Sequence, residues 1–269
     1  MCSCDSLELN MPQNSMPISR SIQQALGALR GLHRSEKLEA LSRLRVDLSA
    51  SKHGISPSQR ESLRHIIFLS LDSGDHLLQE LALYVTMQCE SIRLATLPVW
   101  ESFSQTGNAL SELLYSIAAR GSDYNCQDSH VSGLSLSAFK QSPESVVRIL
   151  HLYRYSSLSS PDWAPLIEEI KVIFTQWFEA WHSMHNVPEL TDALLDAAEL
   201  LATHSSAFRP DLVQFMVRAF EHTKGRSVSA VLVIAQCHEV PDAVTFLERA
   251  RQSSNPDIRQ NALVRERSP

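Results

Sequence analysis

Residues 161–185 read PDWAPLIEEIKVIFTQWFEAWHSMH, and the spacing of apolar positions predicts one long helix across them. At about 100° per residue, Trp163, Leu166, Ile167, Ile170, Ile173, Phe174, Trp177, Phe178, Trp181 and Met184 share one face. Glu168, Glu169, Gln176, Glu179 and Ser183 lie opposite, so this helix belongs between a packed interior and water. Its start is signed by Ser160 as a cap, Pro161 at a position that needs no amide donor, and Asp162 at the positive end of the helix dipole. So wide an apolar face should touch more than one neighbouring helix. Trp163, Phe174, Trp177 and Trp181 are therefore expected in the core.

Helical patterns continue on both sides of this stretch. The 269-residue chain has only eight glycines, and Gly54, Gly74, Gly107, Gly121 and Gly225 fall where one pattern stops and another begins. Residues 1–17 carry Pro12, Pro17 and several Ser and Asn without helical period, and read as a flexible tail. From Ile18 the leucine and isoleucine stripes follow in series. Ser35, Ser56 and Asp75 serve as caps, a fifth helix is expected to begin near Pro98, and a sixth spans Asn108 to Arg120. Residues 122–133, SDYNCQDSHVSG, are polar and aperiodic and form the longest internal loop candidate. No alternating strand pattern interrupts the series, so the fold class is all-α, with residues 18–266 as one helical domain.

Eight of the twelve prolines, at 57, 98, 143, 161, 188, 210, 241 and 256, stand at the start of a helical pattern. Several recur at intervals of forty-odd residues, the length of a two-helix repeat. Within that frame Asn255, Ile258, Arg259 and Ala262 resemble the second helix of a HEAT repeat. Asp75, Leu78, Gln79 and Ala82 match the same pattern in part, with Gln79 in place of the Arg. The resemblance implies a HEAT-like α-solenoid of antiparallel helix pairs, an irregular multi-helix bundle being the other arrangement. It also implies structural roles: the acid or amide caps a helix, the small residue admits a neighbour, and the Arg reaches adjacent carbonyls.

Charge and chemistry narrow the function classes. Net charge is −6, and from His65 to Thr223 there are nineteen acids against eight Lys or Arg. An acidic middle opposes binding to a phosphate backbone, so no nucleic-acid partner is expected. The cysteines at 2, 4, 89, 126 and 237 have no disulfide or metal spacing, which suits a reducing, cytoplasmic setting. The first residues carry no secretory pattern, and the most apolar run, Val228 to Cys237, is short of the ~20 residues that span a bilayer.

Glu179, His182 and His185 step about 60° at a time around the helix, too far apart for one metal ion. No glycine-rich phosphate loop or nucleophile elbow occurs, so no catalytic residue, cofactor or metal is expected. Asp192, Asp196 and Glu199, four and three residues apart, form an acidic series that with Glu179 is the candidate partner-binding surface. The expected function is a non-enzymatic interaction module, an adaptor, chaperone or inhibitor, holding a basic partner protein there. Two alternatives stand beside it. One is an enzyme similar to the HEAT-like DNA glycosylases, using Trp177, Trp181 and a neighbouring Asp; the other is a secreted effector with its export signal in residues 1–17.

Overall fold

A computed structural model describes residues 16–50, 55–120, 129–153, 161–184 and 190–263. Fourteen α-helices occupy these residues, with no strand among them. They gather into two compact units, residues 1–124 and 125–269, within the span read above as one domain.

Six helices build the first unit: α1 (Met16–Arg30), α2 (Arg34–Ala50), α3 (Pro57–Asp72), α4 (His76–Thr86), α5 (Glu90–Ser104) and α6 (Ala109–Arg120). Sequential helices pack in pairs, α1 on α2, α3 on α4 and α5 on α6, while alternate helices stack as α1–α3–α5 and α2–α4–α6. The second helix of the middle pair is the centre. Every residue of α4 from Leu78 to Thr86 is buried. The starts of α3 and α4 follow from the expected caps: Ser56 and Gln59 form a reciprocal capping box, and Asp75 accepts from the amides of Leu77 and Leu78 while also pairing with Arg34. Gly74 provides the left-handed turn between them, φ 68°.

Three starts differ from the sequence reading: α1 already begins at Met16, inside the span 1–17 read as a tail, of which residues 1–15 lie outside the described residues. Helix α2 begins at Arg34, which puts Ser35 inside its first turn, and α5 begins at Glu90 rather than near Pro98. Pro98 lies within α5. One internal hydrogen bond is lost there, but Ile92, Thr96 and Trp100 on either side of it are all buried on one face. The Trp100 indole N–H also donates to Thr86 Oγ1 at 3.0 Å, which fixes the second half of α5 to α4.

Eight helices build the second unit: α7 (Ser129–Phe139), α8 (Pro143–Tyr153), α9 (Ala164–Ser183), α10 (Asp192–His204), α11 (Arg209–His222), α12 (Val228–Gln236), α13 (Pro241–Ala250) and α14 (Pro256–Leu263). The same rule governs their packing. Contacts run α7–α9–α11–α13 and α8–α10–α12–α14, with sequential helices packed between the rows. Such near-neighbour packing is compatible with a helical repeat. The apolar helix α12 touches α10, α11, α13 and α14 and buries Ala230, Val231, Val233 and Ile234. No described helix is long and apolar enough to cross a membrane.

Three corrections concern this unit. The loop expected over 122–133 is shorter at its far end, because α7 already starts at Ser129 and Val131 is fully buried; residues 121–128 lie outside the described residues. The Pro161 stretch opens as a 3-10 turn, Pro161–Trp163, before α9 begins at Ala164, while Ser160 and His185 lie outside the described residues. Finally, Trp163, Phe174 and Trp181 are buried as expected, but Trp177 is only half-buried. Ile173, Trp177 and Met184 share one margin of the apolar stripe, and all three are incompletely covered.

The residues that carried the HEAT resemblance make local contacts. Asn255 Oδ1 accepts from the Asp257 amide at 2.9 Å, and Arg259 Nη1 donates to the carbonyls of Ser253 and Ser254 at 2.6 and 3.0 Å. Ile258 and Ala262 are buried against the row. In α4 the Gln79 side-chain amide donates to the Leu71 carbonyl at 3.3 Å.

Candidate functional site

Helix α10 turns Leu194, Ala197, Leu200 and Leu201 inward, as its apolar stripe requires. Its acids are then directed to different neighbours. Asp192 is exposed in the first turn, where its charge suits the helix dipole. Asp196 and Glu199 face α8 instead and hold one imidazole between them: His151 Nδ1 is 3.0 Å from Asp196, and Nε2 is 2.7 Å from Glu199. Arg148, one turn earlier on α8, lies 3.9 Å from Asp196.

The hydrogen bonds to Asp196 and Glu199 favour the charged ring and raise the His151 pKa to about 9. At neutral pH the ring is cationic and both N–H groups donate to carboxylates. No lone pair is left for proton transfer, so this cluster ties α8 to α10 rather than supplying a base. A cleft of about 530 Å³ beside it is also lined by His204, Arg209 and His238. Burial lowers the His204 pKa, with a further push from Arg209. Arg209 itself donates to the Ala202 carbonyl at 2.6 Å and pairs with Glu239.

Glu179, the fourth expected site residue, is engaged as well. Arg218 of α11 reaches it with Nη1 at 3.0 Å while lying over the rings of Phe178 and Phe215 at 5.1 and 5.8 Å. Of the four acids read as a partner surface, Asp196, Glu199 and Glu179 thus have cations of this chain beside them, and only Asp192 has none among the described residues. Their spacing was legible in sequence, but their counter-charges on α8 and α11 were not.

Around α9, Trp181 packs against Phe178 and His222, with ring centroids 5.7 and 5.0 Å away. A ring so enclosed is core rather than a stacking platform. His182 stacks on Phe178 at 5.9 Å, and its Nδ1 is buried without a hydrogen-bond partner. Among the described residues no group of three or more His, Cys, Asp or Glu is arranged to hold a metal. Burial raises the Cys237 thiol to about 11, which leaves it unreactive.

A different surface collects unpaired charge. The C-terminal ends of α11 and α13 frame a cleft of about 460 Å³, floored by Val217, Phe220, Phe246 and Ala250 and rimmed by Lys224, Arg226, Arg249 and Glu221. The two phenylalanines meet edge to face at 5.0 Å. Lys224, Arg226 and Arg249 are exposed, and no carboxylate among the described residues pairs with them.

The turn that presents this rim is exact in its hydrogen bonding. The Gly225 amide donates to the Phe220 carbonyl at 2.8 Å and the Lys224 amide to the Glu221 carbonyl at 2.9 Å, which is the Schellman closure of α11. Such a closure normally puts glycine in its left-handed position; here Lys224 occupies it at φ 53°, and Gly225 follows at φ 74°. Sequence reading took Gly225 only as a helix stop. The cue available there was a lysine and an arginine flanking that glycine, but Arg249 joins them only through the packing of α11 on α13. The chain matches no family model, no curated protein and no solved structure among known proteins.

Proposed function

We propose that this protein is a non-enzymatic interaction module of the HEAT-like helical-repeat kind, in which stacked helix pairs hold a partner protein. The two-row packing of each unit and the cap, small-residue and carbonyl-binding roles at α4 and α14 support the repeat reading. One observation carries the interaction reading: the cleft between α11 and α13 combines an apolar floor with three cations that serve no ion pair in the described chain. In the rest of this unit Arg148, Lys171, Arg209 and Arg218 each have an acidic partner, and Arg251 and Arg259 donate to backbone carbonyls, whereas the three cleft cations stand together beside exposed ring surface. Cations left unpaired beside aromatic surface are suited to a partner that completes them.

The acidic helix therefore gives way to this cleft as the binding surface. The test is affinity purification with the full chain as bait, followed by titration of the purified captured protein against wild type and an Arg226→Glu/Arg249→Glu double variant. The variant should lose at least about tenfold in affinity while its helical circular dichroism is unchanged. Capture of no protein that binds when purified, or equal affinity for the two forms, overturns the reading.

A further inference from the structure

We infer that the cleft between α11 and α13 takes an acidic peptide segment bearing an apolar or aromatic side chain. The inference rests on the interaction reading above and names the chemistry of what is bound. Its volume, about 460 Å³, admits a few side chains rather than a whole helix. Phe220 is half-buried and offers ring surface beside Phe246, so an apolar side chain has a floor to cover.

Charge sets the rest of the ligand. Lys224 and Arg249 at helix C-termini could be explained by the helix dipole alone, since cations are favoured there. Arg226 has no such explanation. It directly precedes Ser227, the cap of α12, where the dipole disfavours a cation, and α12 carries no acid in its first turn. Lys224 is held in a left-handed conformation that glycine would adopt without strain. Arg226 thus stands against the local dipole and Lys224 against the local backbone preference, and both line the same cleft. With Glu221 as the single acid on the rim against three cations, the lining carries a net charge of +2.

Carboxylates spaced along a peptide fit this arrangement better than phosphate does. Compact phosphate sites converge free backbone amides on the anion. Here the amides of Lys224, Gly225 and Arg226 are all used inside the turn, and those of Ser227 and Asn255 donate to Thr223 Oγ1 and Ser253 Oγ. The cationic donors that remain are three long, separate side chains. A duplex would need many more phosphate contacts than three cations supply, and Asp242, Glu248 and Asp257 on the flanking helices would repel an extended polyanion.

The test is fluorescence anisotropy on the full-length protein with a labelled Glu-Glu-Phe-Glu-Glu-Leu peptide. Controls are the same peptide with Lys for Glu, one with Ser for Phe and Leu, inorganic phosphate as competitor, and a single-stranded oligonucleotide. The acidic peptide should bind in the micromolar range and weaken with salt, and both altered peptides should bind at least about tenfold more weakly. Lys224→Gly should fold at least as well as wild type yet bind more weakly, which separates charge from turn geometry. Arg226→Glu/Arg249→Glu should abolish binding. Tighter binding of the oligonucleotide, displacement by millimolar phosphate, or equal affinity for the Lys peptide overturns the inference. If a captured partner depends on the cleft while the acidic peptide fails to bind, the ligand class is wrong and the interaction reading stands.

Discussion

Nε2 of His151 lies 2.7 Å from Oε2 of Glu199, a bond between α8 and α10 that spans 48 positions in the chain. With Asp196 on the other ring nitrogen, it holds the imidazolium to a pKa of about 9. A folded-state pKa above the unfolded value of about 6.5 stabilises the protein fully below that pH, and the contribution is lost as pH rises through about 9. Wild type should therefore lose roughly 1 to 3 kcal/mol more than His151→Gln between pH 6.5 and 9.5, measured by urea unfolding. Parallel stability curves would show that the cluster contributes nothing.

Asp192 and Asp196 sit one turn apart, yet reversing their charge should have different consequences. Asp192→Lys exchanges a favourable dipole contact for an unfavourable one at an exposed position, on the order of 1 kcal/mol. Asp196→Lys places a third cation beside His151 and Arg148 and should cost more, on the order of 2 kcal/mol. Equal thermal shifts for the two variants would contradict the described pairing.

The tryptophans of α9 separate in the same way. Trp181 is 2% exposed, so Trp181→Ala should cost about 3 to 5 kcal/mol through lost burial and a cavity. Trp177, at the uncovered margin, should cost about half as much or less when truncated. Chemical denaturation of both variants decides it; a Trp177 variant as damaged as the Trp181 one would place Trp177 in the core.

Lys224→Gly should raise stability by roughly 0.5 to 1 kcal/mol, because glycine adopts φ 53° without the clash a Cβ introduces. A lower melting temperature would mean that the Lys224 side chain makes contacts outweighing that strain.

Duplex DNA should bind no tighter than the non-specific range of about 10⁻⁴ to 10⁻⁶ M at physiological salt, since three rim cations neutralise few phosphates. A filter-binding titration giving nanomolar affinity would revive the glycosylase-like alternative.

What the sequence determined by itself was local. Apolar positions three and four residues apart specified the helices, Ser56 and Asp75 marked where α3 and α4 begin, and Pro57, Pro143, Pro241 and Pro256 stand at the first residue of theirs. These features depend on backbone hydrogen bonding within a turn or two, so neighbouring residues suffice to read them. The tertiary structure decided what lies across from each face. A helical wheel gives the angle of Trp177 but not whether a helix covers it, and it ranks Asp196 with Asp192 although only Asp196 meets an imidazole from α8. Packing likewise carried α5 through Pro98, where the pattern alone suggested a start. Lys224, Arg226 and Arg249 share a cleft because α11 closes on a left-handed lysine and then packs against α13. Electrostatic surroundings are set by distances through space, and those exist only once the helices are stacked.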